Sequence, residues 1–396
     1  MKFLRNILDQ QKKLFEKGGK LEKFYPAFEA FDTFAFAPNH TAPVRGAQVR
    51  DAIDLKRMMM TVIIAMLPCL VFGIWNVGHQ HLLYTGQSGD LLTKLIIGSK
   101  VVLPIVIVAY GVGLAIEFTF AIIKKHSVNE GYLVTGMLIP LVMPPTVPLW
   151  QVALGTAFAV VIGKEVFGGT GMNILNVAMT ARAFLYFAYP TELSGSVWTY
   201  IGGAKTVEGY SGATALAIAS ETSKAGGSTS VVAAFGNTFS FENLFIGNVM
   251  GSIGETSTLM CLIGAAILII TGVGSWRIIV SGFAGAYLMG LLLNALAVNP
   301  FMALPAHYHL VMGGLAFGIV FMATDPVTAS QTETGKWIYG FLIGVMTVLI
   351  RVFNPAYPEG IMLAVLLMNI FAPLIDFYVV DANKKRRLKR LKYATV

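Results

Sequence analysis

Apolar segments recur along the chain between residues 58 and 380, and they limit the possible folds more than any other feature. Ten of them are long enough to predict helices: 58–75, 95–123, 132–147, 150–167, 172–189, 256–272, 277–297, 308–323, 338–352 and 360–380. A helix needs about 20 apolar residues to cross a bilayer. Shorter or interrupted spans are tolerated where their backbone is buried inside a bundle. We therefore expect an all-α polytopic membrane protein with about ten transmembrane helices, some of them broken or short.

Composition supports a chain that spans a lipid bilayer. Hydrophobic residues make up 55% of the sequence and charged residues 13%, whereas soluble domains carry about 25% charged residues. These figures exclude disordered and coiled-coil chains. The formal net charge of +8 flanks the apolar segments, which is typical of membrane proteins and does not indicate nucleic-acid binding.

The distribution of lysine and arginine predicts the orientation. Residues 1–57 contain eleven of them and residues 381–396 contain seven, but the long polar segment 190–255 contains only two. Because positively charged loops stay on the cytoplasmic side, we expect a multi-pass protein of the bacterial inner membrane with both termini cytoplasmic. The segment 190–255 is then external, and Arg351, at an expected external end, is the exception.

The long polar segment divides the apolar segments five and five. We expect an amphipathic N-terminal extension, a first five-helix repeat, an external loop region, a second five-helix repeat and a basic tail, at 1–57, 58–189, 190–255, 256–380 and 381–396. An odd number of spans per half makes the repeats inverted. Loose similarity between 136–148 and 314–328 supports this arrangement, which is typical of transporters.

The segment EGYSGAT, from Glu208 to Thr214, offers a hydroxyl group on a slim backbone. Glycine permits close approach by a bulky group, so a separate enzyme could attach a large cofactor here. From the residues alone, a plain surface turn is the favoured alternative.

The same segment resembles the flavinylation motif of the membrane-subunit family of sodium-translocating NADH:quinone reductases and the related Rnf electron-transport complexes. Other similar segments include KEVFGGTGMNILN at 164–176, FIGNVMGSIGETS at 245–257 and FMATDPVTAS at 321–330. The resemblance implies that a flavin transferase joins FMN to Thr214 through a phosphoester on the external side. The attachment motif would comprise Glu208, Ser211, Gly212, Ala213 and Thr214, with Glu208 where the family usually has aspartate.

The resemblance also implies a riboflavin at the cytoplasmic side, held by Asn173, Asn176 and Asp325. These residues open the fifth apolar segment and end the eighth. From chemistry alone, helix capping is the favoured alternative, because asparagine and aspartate are common caps.

Two carboxylates, Glu117 and Asp376, lie inside apolar segments. A charge at the bilayer centre costs at least about 2.5 kcal/mol, so such residues are candidates for function. Solvation near the membrane surface is the alternative, since both lie toward cytoplasmic ends. The resemblance links both positions to sodium uptake.

The N-terminal extension is basic and amphipathic, which predicts a segment lying on the membrane surface. The resemblance places ubiquinone contacts between this extension and a cytoplasmic turn. The expected contact residues are Phe28, Phe31, Gly113, Val128, Asn129, Glu130, Gly131 and Tyr132. Leu114 departs from the glycine pair expected beside Gly113.

The resemblance implies a subunit of a respiratory sodium pump that relays electrons from NADH through covalent FMN and riboflavin to ubiquinone, coupled to Na⁺ export. No G-x-G-x-x-G follows a predicted strand, so we expect NADH oxidation in a partner subunit. The expected partners are the other membrane and flavin subunits, the flavin transferase and the lipid bilayer, and no metal other than Na⁺ is expected. The N-terminal extension favours the quinone reductases over Rnf complexes, which would couple ferredoxin to NAD. A secondary transporter or channel without redox chemistry is the alternative from another class.

Overall fold

The computed structural model describes residues 2–16, 19, 21–36, 46, 53–124, 128, 131–195, 197–202, 212–225, 230–354, 357 and 359–394. Within these residues every regular element is a helix and no strand occurs. The N-terminal extension contains α1 (Lys2–Phe15) and α2 (Tyr25–Ala35). An all-α fold is therefore confirmed.

The helices fall into two sets separated by a group of short helices. The first set is α3 (Leu55–Tyr84), α4 (Leu91–Lys124), α5 (Gly131–Leu141), α6 (Leu149–Gly163) and α7 (Val177–Ala188). The short helices are α8 (Pro190–Leu193), α9 (Ala215–Lys224), α10 (Val231–Phe235) and α11 (Phe241–Ile246). The second set is α12 (Thr258–Ile270), α13 (Trp276–Leu296), α14 (Tyr308–Val311), α15 (Leu315–Phe317), α16 (Glu333–Phe353) and α17 (Ile361–Ala394).

Each of the ten predicted apolar segments contains helix. Among the described residues, six helical stretches are long and apolar enough to cross a membrane: α3, α4, α6 with the following turn, α13, α16 and α17. The other four segments contain the shorter elements α5, α7, α12 and the α14–α15 pair, which a π-helical turn at Gly318–Met322 extends. Multi-pass membrane architecture with short and broken helices is confirmed.

Helix α3 is longer than the sequence predicts, because the apolar segment ends near residue 75 but the helix continues to Tyr84. Its last turns carry Asn76 and Gln80, which are buried among other helices. Asn76 donates a hydrogen bond to the carbonyl oxygen of Val249 at 2.9 Å. Polar side chains that find partners inside the bundle thus lower the local hydropathy without ending the helix.

Two unwound segments, 142–148 and 247–257, meet inside the bundle. Helix α5 ends before Pro144 and Pro145, and proline cannot donate the hydrogen bond that would continue it. The backbone N–H of Ile253 donates to the carbonyl of Met143 at 3.1 Å, and that of Gly254 donates to Leu141 at 2.7 Å. The two breaks thereby provide hydrogen-bond partners for part of each other's backbone N–H and C=O groups, which must be paired in a membrane interior.

Helix packing in the two sets follows one pattern. In the first set α4 packs on α6 and α6 packs on α7. In the second set α13 packs on α16 and α16 packs on α17 in the same way. Helix α3 packs on α12 across the sets, with the free thiols of Cys69 and Cys261 buried 3.9 Å apart. Two five-helix repeats predict this pattern, and their inverted relation stays a prediction.

Arg351, the exception to the charge rule, is buried and only 1% exposed. Its guanidinium donates to the carbonyl oxygens of His309 at 2.6 Å, Met312 at 2.7 Å and Glu359 at 3.0 Å. The first two lie at the carboxyl end of α14, where a cation is favourable. Arg351 therefore holds the broken helix in place. Its charge does not indicate which side of the membrane the end of α16 faces.

Candidate functional site

Thr214 opens α9 and faces a large cavity. It is the N-cap of that helix, and its hydroxyl oxygen accepts a hydrogen bond from the backbone N–H of Ala217 at 3.3 Å. Gly212 and Ala213, just before it, are buried. Thr214 lines a cavity of about 1070 Å³ that is partly open to solvent, called here the first cavity. Glu208 and Ser211 lie outside the described residues.

Aromatic side chains from distant parts of the sequence line the first cavity. They are Tyr186, Trp198, Phe239 and Tyr357. Carboxylates of Glu255 and Glu359 also line it. Apolar and aromatic walls with a few fixed polar groups are typical of sites for flat organic ligands.

The carboxylates in the first cavity are fixed by a buried arginine on α7. Arg182 contacts the two carboxylate oxygens of Glu255 at 2.8 and 2.9 Å and Glu359 at 2.6 Å. It also lies 3.4 Å from the hydroxyl of Ser252, and Tyr357 donates to Glu359 at 3.1 Å. We call Arg182, Glu255 and Glu359 the Arg182 cluster. In the sequence, Arg182 stands out only as a charge near the end of an apolar segment.

Asn173, Asn176 and Asp325 come together around a second cavity of about 800 Å³. Gly131 and Lys164 also line it. The two asparagines belong to the first helix set and the aspartate to the second. The structure therefore brings together the three residues that the sequence predicts at one site.

Two of these residues also cap local structure. The amide oxygen of Asn176 accepts from the backbone N–H of Met179 at 3.2 Å and so caps α7. Asp325 accepts from the N–H of Val327 at 3.1 Å and from the hydroxyl of Thr328 at 3.0 Å. Helix capping is therefore observed for Asn176, whereas Asp325 stabilises a turn and caps no helix. Both residues also line the second cavity.

Glu117 forms a buried ion pair with Lys164. Helix α4 supplies the carboxylate, and the turn after α6 supplies the ammonium group. Lys164 also lies over the ring of Tyr132, 5.9 Å from its centroid. Since Lys164 lines the second cavity, the pair joins that cavity to the interior of the first helix set.

Asp376 is held by the segment that leads into α16. Its carboxylate accepts from the hydroxyls of Ser330 and Thr332, both at 2.6 Å. It also accepts from the backbone N–H groups of Gln331 at 2.7 Å and Thr332 at 2.9 Å. Asp376 thus fixes the start of α16 and has a different set of partners from Glu117.

The two expected quinone residues on α2 have different surroundings. Phe28 is buried and stacks on Phe15 with ring centroids 4.8 Å apart. Phe31 is 63% exposed, and its ring lies 6.2 Å from that of Phe118 on α4. Helix α2 therefore lies against α4 at Phe118.

Gly113 and Tyr132 are in direct contact. A Cβ atom at Gly113 would collide with the Tyr132 ring, whose hydroxyl donates to the carbonyl of Ala109 at 2.5 Å. Val128 is buried and Gly131 lines the second cavity. Asn129 and Glu130 lie outside the described residues.

Residues 44–385 match the profile of the family described as NQR2, RnfD, RnfE. The chain belongs to this family. The match includes both helix sets and both cavities, and it ends within α17. Membership in the NQR2, RnfD, RnfE family agrees with the resemblance found from the motifs.

Relatives within the NQR2, RnfD, RnfE family match almost the whole chain. A protein from Pseudomonas aeruginosa is 49% identical, and the match covers 98% of this chain and 99% of the relative. Relatives from Ectopseudomonas mendocina and Chromohalobacter salexigens are 50% and 48% identical over 98% of this chain, covering 99% and 96% of their own length. Each of the three is named as a subunit, the same one in every case, of a Na⁺-translocating NADH-quinone reductase.

Proposed function

We propose that the chain is the membrane subunit of a respiratory Na⁺ pump of the bacterial inner membrane. Electrons from NADH, oxidised in a partner subunit, would pass through flavins to ubiquinone, and their transfer would drive Na⁺ export. The observation that carries this proposal is 49% identity over 98% of the chain to a protein named as a subunit of such a reductase. The expected partners are the other membrane and flavin subunits, and both termini would be cytoplasmic.

The first cavity would hold FMN attached covalently to Thr214. A helix N-terminus stabilises phosphate through its free N–H groups, and Thr214 caps the start of α9. The aromatic walls fit a flat ring system, and the Arg182 cluster provides fixed charges beside it. Bound FMN would supply the storage and transfer of electrons. A flavin transferase would recognise the segment of Glu208, Ser211, Gly212 and Ala213.

The second cavity would hold riboflavin. The amides of Asn173 and Asn176 and the carboxylate of Asp325 can hydrogen-bond the polar edge of the ring. The buried hydroxyl of Thr170, which also lines this cavity, has no hydrogen-bond partner among the described residues. A polar ligand would satisfy that group.

Ubiquinone would bind where α2 meets α4. The proposed contacts are Phe28, Phe31, Gly113, Val128, Asn129, Glu130, Gly131 and Tyr132. The exposed ring of Phe31 supports this site, since it leaves an aromatic surface beside Phe118. Glu117 and Asp376 are the proposed residues of sodium uptake at the cytoplasmic side.

Flavin fluorescence of the denatured chain in a gel tests the central step. Wild type, Thr214→Ala and Thr222→Ala are expressed together with the flavin transferase. Thr222 lies two turns further along α9, and its hydroxyl donates to the carbonyl of Ile218, so this variant is the matched control. We expect fluorescence in wild type and Thr222→Ala and none in Thr214→Ala.

A dark wild-type band would remove the covalent flavin assigned to Thr214 and favour the transporter or channel without redox chemistry. A fluorescent Thr214→Ala band would move the attachment to another residue. Na⁺-stimulated quinone reduction by the assembled complex separates the proposed function from that of an Rnf complex, for which ferredoxin-dependent reduction of NAD is expected instead.

A further inference from the structure

A third, small cavity lies between the outer end of α3 and the two unwound segments. It measures about 240 Å³, and its interior has room for a single water-sized body. The polar residues Asn76, Gln80, Thr199, Tyr200 and Ser252 are part of its lining. Pro145 and residues 250–253 of the two unwound segments also line it.

Two side-chain oxygens at this cavity are buried without a hydrogen-bond partner among the described residues. They are Oε1 of Gln80 and Oγ1 of Thr199, whose residues are 4% and 3% exposed. The amide nitrogen of Gln80 donates to Oδ1 of Asn76 at 3.2 Å and to Oδ1 of Asn248 at 3.4 Å. These two bonds fix the amide so that its oxygen stays unpaired. A buried polar group without a partner costs free energy, so we expect the cavity to hold a species that pairs with these oxygens.

The lining favours a small hard cation. Amide, hydroxyl and carbonyl oxygens are ligands that suit such ions. None of the described side chains that line the cavity is charged, so a monovalent ion fits better than a divalent one. Unwound backbone between two sets of helices is also where transporters coordinate Na⁺.

We propose that the third cavity is a binding site for one Na⁺ ion, with Gln80 Oε1 and Thr199 Oγ1 as ligands. The site lies on the external half of the membrane, because α3 enters the membrane from the cytoplasmic extension and these residues are near its far end. The proposal deepens the sodium-pumping function and rests on it. It adds a site whose lining includes neither Asp376 nor the Glu117–Lys164 pair.

The proposed site adjoins the first cavity. Trp198, Met250, Gly251 and Ser252 line both cavities, so an ion in the third cavity and a group attached at Thr214 would contact shared lining residues. Negative charge added to that group attracts a nearby cation through a medium of low dielectric constant. Because coupling between two sites is reciprocal, Na⁺ binding favours the reduced group by the same factor.

Equilibrium binding of radioactive Na⁺ to the purified, resting complex tests the site, with ionic strength held constant by choline chloride. Thr199→Val removes only the unpartnered hydroxyl and keeps the shape of the side chain. Thr156→Val is the matched control, because its buried hydroxyl also lacks a partner among the described residues but does not line any of the three cavities. Thr199→Ser restores the hydroxyl.

We expect Thr199→Val to weaken the binding of one Na⁺ by about tenfold, as the loss of one ligand to a charged group implies. Thr156→Val and Thr199→Ser should bind like wild type. Unchanged Na⁺ binding by Thr199→Val overturns the proposal, and the thermal midpoint then identifies the occupant. A midpoint that falls equally with and without Na⁺ indicates water, and one that rises indicates an empty cavity.

Failure of the pumping function gives a different result. Binding is measured at rest, so it does not depend on turnover or on the quinone. A complex that binds Na⁺ in the third cavity but reduces quinone without Na⁺ stimulation would refute the pump and retain the site. A Thr199→Val complex that pumps Na⁺ normally and binds it like wild type would refute the site and retain the pump.

Discussion

Replacing Arg182 by methionine should destabilise the protein strongly. The guanidinium makes two contacts with Glu255, at 2.8 and 2.9 Å, and one with Glu359 at 2.6 Å, all in buried surroundings. Methionine fills similar space but leaves the two carboxylates without the cation that contacts them both. Removing one partner of a buried ion pair costs about 3–5 kcal/mol. Because two carboxylates lose their partner here, we expect a loss at the upper end of that range.

A second variant separates charge from packing. Arg182→Met combined with Glu255→Gln leaves one uncompensated carboxylate in place of two. We expect the double variant to be more stable than Arg182→Met alone, by about 1–3 kcal/mol, the coupling typical of neighbours in one network. If lost packing were the cause, the second substitution would give no recovery.

The measurement is the unfolding midpoint of the purified chain in mixed micelles titrated with SDS, followed by tryptophan fluorescence. Arg277→Met is the control, because Arg277 pairs with Glu333 at 2.6 Å on the exposed surface. Solvent screening makes such pairs weak, so its midpoint should stay close to wild type. Equal midpoints for Arg182→Met and Arg277→Met would refute the buried cluster.

Two further substitutions have matched controls. Gly113→Ala should cost about 1–3 kcal/mol, because the added methyl group overpacks the contact with Tyr132. Gly111→Ala, where a Cβ meets no atom within 4 Å, should lower neither the thermal midpoint nor the apparent affinity for quinone. Asp376→Asn should cost about 1–2 kcal/mol in thermal stability, since the start of α16 loses charged hydrogen bonds. Asp381→Asn loses only an exposed ion pair and should leave the thermal stability unchanged. Equal thermal midpoints for Asp376→Asn and Asp381→Asn would argue against the anchoring role of Asp376.

The ten helical segments could be predicted because hydropathy is a local property of the sequence. The family resemblance predicts the meeting of Asn173, Asn176 and Asp325, and the residue types predict the capping of helix ends. The sequence places the end of α3 too early, since Asn76 and Gln80 look polar in sequence and are buried by partners far along the chain. The hydropathy of a residue describes its own side chain and does not show which group that side chain pairs with in the folded protein.

The Arg182 cluster could not be predicted for the same reason. Glu255 lies 73 positions from Arg182 and Glu359 lies 177 positions away, so no spacing rule connects them. The sequence around Glu255 and around Glu359 resembles ordinary loops between apolar segments. A signal was nonetheless present, because a charge inside a membrane needs a compensating partner. On that ground, the sequence could have predicted that Arg182 pairs with glutamates near the ends of other short apolar segments.

Each large cavity lies against a buried ion pair. The first cavity is lined by carboxylates of the Arg182 cluster, and the second by Lys164, which is paired with Glu117. In both places buried charges attract each other directly, so a negative charge added within either cavity changes the balance that holds them together. An electron arriving in the first cavity would weaken the hold of Arg182 on its two carboxylates, and one arriving in the second would draw Lys164 away from Glu117. A Na⁺ ion close to either pair would respond to that change, because a released carboxylate or an added negative charge is the differential free energy that ion coupling requires.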